Sequence, residues 1–271
     1  MKKTILYLIF LITASIYGQD FDYYSNLINK TYGDKVSFVV KSKTLRKFGR
    51  NTELSSGTEE QVWTTGGLET LSTTNDITHF ASEDDTDTQT MTVEGHTIDG
   101  NGDLTFATQN VTLAGNTKTA LTTPLARITR AFNTSSTDFA GTVAFSKDVS
   151  YSTGTPASDI HMTIDVGNNQ SLKAATTISK NDYWVISTVT FSVNRQQTAN
   201  VDFKLQARLK GSVFRTLLTA AVSNGSGSFQ KILVTPIIVP PNTDIRIMAT
   251  SSANTTQVDA VMDGYLASVI N

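Results

Sequence analysis

The feature that most constrains this chain is a repeated alternation. Short runs in which apolar and polar residues trade places at every second position recur about every ten residues, with Gly, Asn and Asp between them. Val201-Asp202-Phe203-Lys204-Leu205-Gln206-Ala207-Arg208-Leu209 keeps the pattern over nine positions, apolar at every odd number. A strand sends successive side chains to opposite faces, so this period places one face on a core and leaves the other to solvent or a partner. Thr90–Glu94, Leu104–Ala107, Asn110–Leu113, Ala126–Phe132 and Thr142–Phe145 read as strands in the first half. His161–Val166, Tyr183–Val193, Val213–Val222, Phe229–Val234, Asp244–Ala249 and Gln257–Leu266 follow in the second. Asp99-Gly100-Asn101-Gly102-Asp103, Gly115-Asn116, Gly167-Asn168-Asn169 and Pro240-Pro241-Asn242 supply the turns. Thr fills about a quarter of positions 51–148, and its branched Cβ disfavours helix and suits a half-exposed strand.

The expected fold is therefore all-β, with two antiparallel β-sandwich or jelly-roll-like domains behind an N-terminal arm or short helix. The boundaries read as a Thr-rich domain at 51–148, a Ser/Thr/Gly/Pro linker at 149–158 and a jelly-roll-like domain at 159–271. The second domain carries roughly eight strands, enough to close such a sandwich.

Ahead of these lie two segments of different character. Met1-Lys2-Lys3 followed by the apolar run Thr4–Tyr17 has the form of a secretory signal over residues 1–19. As a helix the apolar run spans only about 21 Å, short of the ~30 Å hydrocarbon core, so no stable membrane span is expected. The alternatives are a cleaved signal, which implies secretion or a bacterial cell surface, and a retained apolar arm. Residues 20–50 form the expected arm. Phe21, Tyr24, Leu27 and Ile28 have helical spacing, and Lys35–Arg50 is the chain's basic run.

With 22 Lys plus Arg against 24 Asp plus Glu among 271 residues, the net charge of −2 cannot supply the basic surface that a nucleic-acid backbone requires. No nucleic-acid partner is expected. The absence of Cys removes disulfide frameworks, thiolate metal sites and thiol nucleophiles. His79, His96 and His161 stand apart with no second His three or four positions away, so no metal site is expected. Glu83-Asp84-Asp85-Thr86-Asp87 lacks the Gly and Glu positions of a calcium loop and reads as a solvated acidic loop. No G-x-S-x-G elbow occurs, and no catalytic residue and no cofactor are expected. What remains are candidate interface residues: Lys41, Lys43, Arg46, Lys47 and Arg50 of the basic arm, and Trp63 before Gly66-Gly67. Trp63 reads first as core packing and second as a stacking surface for a partner or sugar, while Trp184 reads as core.

Several motifs resemble one family. Lys47-Phe48-Gly49-Arg50-Asn51 followed by Glu60-Gln61-Val62-Trp63-Thr64-Thr65-Gly66-Gly67 is similar to the opening of tailed-bacteriophage virion structural proteins common in aquatic phages. Val93-Glu94-Gly95, Val111–Gly115, Ile128–Phe132, Gly167–Leu172, Phe203–Arg208, Asp244–Ile247 and Asp263–Leu266 continue the resemblance in order over about residues 36–267. The resemblance implies a non-enzymatic virion component, with a capsid-associated decoration or accessory protein as the preferred reading. Its expected partners are other virion proteins of capsid or tail and copies of itself, in a trimer or other cyclic homo-oligomer. A tail-associated or host-attachment protein is the alternative within that family. A secreted adhesin or carbohydrate-binding β-sandwich is the alternative outside it. Residues 1–19 depart from the family pattern, since virions assemble in the cytoplasm.

Overall fold

A computed structural model describes residues 39–194, 199–223 and 227–270. The expected signal segment and the expected helix after it lie outside the described residues. Within them the chain is all β. It opens with β1 (Val39–Leu54) and the short β2 (Glu59–Gln61), then runs through β3 (Ile77–Ser82), β4 (Thr90–Ile98), β5 (Leu104–Thr112), β6 (Thr119–Leu125), β7 (Arg127–Asn133) and β8 (Val143–Ser146). A small hairpin of β9 (Tyr151–Ser152) and β10 (Thr155–Pro156) leads to β11 (Ile160–Ile164). The remaining strands are β12 (Ala175–Ile178), β13 (Asp182–Asn194), β14 (Asn200–Leu209), β15 (Arg215–Ser223), β16 (Ser228–Val239), β17 (Thr243–Ser251) and β18 (Thr256–Ile270).

Strand pairing sorts these into two sandwiches. One joins the sheet β1-β18-β13-β16 to the sheet β12-β17-β14-β15, with β2 also on β17. The pairs are nested: β14 with β15 innermost, then β13 with β16, β12 with β17, and β1 with β18 outermost. That wrapping of eight strands into two four-stranded sheets is a jelly roll. Its core contains Trp184, Phe191, Phe203, Leu205, Ile245, Ile247 and Met262, drawn from both sheets. Phe191 of one sheet stacks on Phe203 of the other with ring centroids 4.6 Å apart.

The second sandwich is inserted between the first and second strands of the jelly roll. Its sheets are β11-β8-β3-β6 and β5-β4-β7. They close on a separate core that includes Ile77, Phe80, Met91, Val93, Phe139, Phe145 and Ile164. The two cores belong to one compact unit over Lys41–Val269.

Two sandwiches were expected, but the pairing moves their limits. Residues 39–54 are the outer strand of the jelly roll and not a free arm, because β18 lies beside them. The expected linker at 149–158 folds as the β9–β10 hairpin, with Thr155 opposite Ser152. The chain then returns to the inserted sheet, where Ile164 pairs with Val143, before crossing to the jelly roll. Periodicity identifies a strand and says nothing about which strand lies beside it, so the insertion was invisible in the pattern.

Candidate assembly surface

The jelly roll ends, along one side, on β15 in one sheet and β16 in the other, each an edge among the described strands. Edge strands offer unpaired N–H and C=O groups, and natural proteins usually blunt them with charge. Here β15 has Arg215 as its one charged residue and β16 has Lys231. Large apolar side chains project among Thr, Ser and Gln: Ile232 is 72% exposed and Val234 91%, with Leu217 and Phe229 also exposed on β15 and β16 and Val213, 71% exposed, just ahead of β15.

A break in the ladder produces the most exposed of these. Ile186 of β13 faces Ile237, and two positions later Thr188 faces Ile232, so four residues of β16 stand against the single residue Ser187. Pro236 lies in that bulge and has no N–H to contribute. The excess chain carries Val234 outward. Burying a Val or Ile from full exposure stabilises an interface by about 1.5–3 kcal/mol each.

The candidates named from sequence divide into two groups. Lys41 lies on β1, Lys43 is exposed, and Arg46 and Arg50 hold onto the neighbouring strand β18. Arg46 Nε donates to Asp263 Oδ1 at 2.5 Å and Arg50 Nε to Asp259 Oδ1 at 2.5 Å. Lys47 and Trp63 are buried, which removes them from any surface offered to a partner. The Trp63 indole donates to Gly66 O at 2.8 Å, and the Lys173 ammonium sits 5.3 Å over its ring. Core packing beside the glycine turn, the first reading of Trp63, is where it stands.

The motif around these residues works as a structural clamp. Asn51 Nδ2 donates to Glu60 Oε2 at 3.2 Å, while the Glu60 carboxylate accepts from the backbone N–H groups of Ser55 and Gly67, each at 2.9 Å. Burial pushes the Glu60 pKa up, but these backbone and side-chain donors outweigh it and hold the carboxyl below its usual range. Gly49 is required by close approach: a Cβ there would lie 2.2 Å from Ala174 N and 2.3 Å from Val62 O. The motif thus fixes β1 against the segments that enter and leave the inserted sandwich.

A buried polar seam joins the two sandwiches, and sequence reasoning passed over it. Arg127 on β7 donates through Nε to Asp244 Oδ1 on β17 at 2.8 Å and through Nη2 to Oδ2 at 3.1 Å. Thr177 and Arg208 complete the shell of Asp244 at 2.7 and 3.1 Å. Desolvation raises the Asp244 pKa, yet the hydrogen bonds and charges of Arg127, Thr177 and Arg208 prevail and hold it low. Beside it, Lys173 Nζ donates to Glu69 Oε1 at 2.6 Å and to the carbonyls of Ile128 and His161 at 2.9 and 3.1 Å. Lys47 Nζ donates to Thr129 O at 3.2 Å. The one signal in the sequence was the density of charged residues inside otherwise apolar strands, as at Arg127-Ile128-Thr129.

The Asp99–Asp103 turn closes the β4–β5 hairpin, as its composition implied: Asp99 Oδ1 accepts from Asn101 N and Asp103 N, each at 2.9 Å. In the acidic cluster, Asp87 is buried and accepts from Ser82 Oγ, Ala140 N and Gly141 N, so that residue is part of the scaffold and not of a solvated loop.

The sequence matches no protein-family model. It matches no curated protein either. Among solved structures it is similar to that of infectious bursal disease virus Gt strain, at 10% identity over 88% of this chain and 74% of that chain, with a TM-score of 0.22. The Gx strain structure gives 9% identity, the same coverages and 0.22. The crystal structure of the infectious bursal disease virus VP2 subviral particle gives 9%, 88%, 73% and 0.21. At TM-scores of this size the likeness carries no argument.

Proposed function

We propose that this chain is a structural protein of a virion, a capsid-associated decoration or accessory subunit of a tailed bacteriophage that acts by assembly and not by catalysis. The observation that carries the reading is the charge-poor pair of edge strands β15 and β16 on a jelly roll, with Leu217, Phe229, Ile232 and Val234 exposed on them, a surface suited to burial against another subunit. Two features support it. Jelly rolls recur in viral capsid and lectin domains, an analogy of fold and not of site. The motifs that resemble those of phage virion proteins fall on the clamp at Gly49, Asn51, Glu60 and Trp63, positions that hold this scaffold together.

In this reading copies of the chain meet through β15 and β16 around a closed symmetry axis, and the inserted sandwich is carried by the jelly roll. Closure matters, because an open head-to-tail contact between apolar edges propagates into filaments. Sedimentation equilibrium on the full-length chain tests the proposal. A trimer or another closed oligomer is expected, and a monomer at all accessible concentrations overturns it.

A further inference from the structure

Where β1 passes between the two sandwiches there is a cavity of about 180 Å³. Lys47, Glu94, His96, Leu45, Phe106 and Leu266 are among the residues that line it. An apolar cavity of ~150 Å³ accommodates benzene, so this one has room for a molecule of similar or slightly larger size. Its chemistry is divided. Leu45, Phe106 and Leu266 give an apolar wall, and the Phe106 ring meets the His96 ring edge-on at 5.7 Å. Lys47 gives a buried cation.

That cation is incompletely satisfied. An ammonium has three donors, and Lys47 Nζ has one hydrogen-bond acceptor among the described residues, the Thr129 carbonyl. No carboxylate lies within ion-pair distance of it there. Lys43, Glu94 and Asp182 also line the cavity, so its charges balance, and the opening for an anion is the unmet donor capacity of the buried Lys47 ammonium. His96 is buried in the same wall, and its Nε2 is 3.2 Å from Ser179 Oγ. The ring is neutral near pH 7, because desolvation and the positive charge of Lys47 lower its pKa to about 3. It therefore neither repels nor competes for that anion.

We propose that this cavity is a binding site for a small carboxylate with a compact apolar body, the carboxylate on the Lys47 ammonium and the body against Leu45, Phe106 and Leu266. The ligand supplies the acceptors that Lys47 lacks and covers apolar wall that water wets poorly. Inorganic oxyanions offer the first and not the second, and neutral aromatic alcohols the second and not the first. The inference is independent of the virion reading.

Isothermal titration of the full-length chain with benzoate, acetate, benzyl alcohol and inorganic phosphate tests it. Benzoate is expected to bind one to one, with each of the other three weaker by about tenfold or more, the scale of one charge-assisted hydrogen bond or a lost apolar contact. Lys47→Met should reduce benzoate to the level of benzyl alcohol. Phe106→Ala, at a half-exposed position, should weaken benzoate and leave acetate unchanged. The proposal is overturned if benzoate shows no saturable binding, if phosphate binds as tightly, or if either variant binds benzoate like the parent.

Discussion

Lys47 sits where a charge is costly. Burial lowers its pKa to about 8, against the partial compensation of Glu94, and the nearby cations push in the same direction as burial. Replacing it with Met, of similar length and no charge, should stabilise the protein by about 1–3 kcal/mol at pH 7. The pH dependence has a definite sign. Between about 8 and 10.5 the unfolded chain still holds a proton that the folded one has released, so the parent gains stability as pH rises through that window. The advantage of Lys47→Met should shrink accordingly, as chemical denaturation at pH 7 and pH 10 would reveal. His96 predicts a slope of the same sign on the acid side. With a folded pKa of about 3 against 6.5 unfolded, it leaves the unfolded state with the extra proton below pH 6.5. The parent should lose up to ~1.4 kcal/mol per pH unit there. His96→Gln should flatten that loss between pH 6.5 and 4.5, above the range in which Asp244 and Glu69 titrate. At this scale the sequence was partly legible. Trp63 and Trp184 could be assigned to core from their size and neighbours. Lys47 could not, because it stands in the basic run Lys35–Arg50, read as an arm, whereas β1 buries the odd positions 47, 49 and 51. No apolar side chain at 47 or 49 marks that face.

At the scale of elements, the edge strands carry the functional reading. An assembly that depends on β15 and β16 should be sensitive to charge placed on them and insensitive to charge elsewhere on the exposed surface. Ile232→Lys with Val234→Asp adds charges of opposite sign at side chains 72% and 91% exposed, so the fold of the single chain should be preserved. The double variant should shift the sedimenting species toward monomer, with thermal unfolding measured alongside to confirm that it still folds. An unchanged oligomer would place the contact elsewhere. The strands themselves were legible: Val201–Leu209 became β14, with Val201, Phe203 and Leu205 buried in the core as the period requires. The bulge that projects Val234 was not. Only Pro236 hints at it, because a ladder that must skip a donor is free to bend there.

For the whole molecule, the consequential fact is that one sandwich is inserted into the other and the two are pinned by buried charge. Arg127 is the pin most fully shared, bonding Asp244 of the jelly roll from the inserted sheet. Arg127→Met should cost about 3–5 kcal/mol, because it leaves Asp244 buried with half its neutralising shell. Differential scanning calorimetry would register that loss as a lowered transition temperature. The insertion explains why function was harder to read than fold. Sequence periodicity gave strands and turns locally, while the nesting of β1 with β18 joins segments some two hundred residues apart and has no local signature. The seam was equally hidden, since Arg127 and Asp244 are 117 positions apart. The most direct test of the virion reading is a microscopy reconstruction of phage particles purified from a culture that encodes the chain. The account predicts repeated jelly-roll density on the particle, with β15 and β16 of each copy buried against a neighbouring subunit. Particles that lack the protein, or copies whose β15 and β16 face solvent, would contradict it.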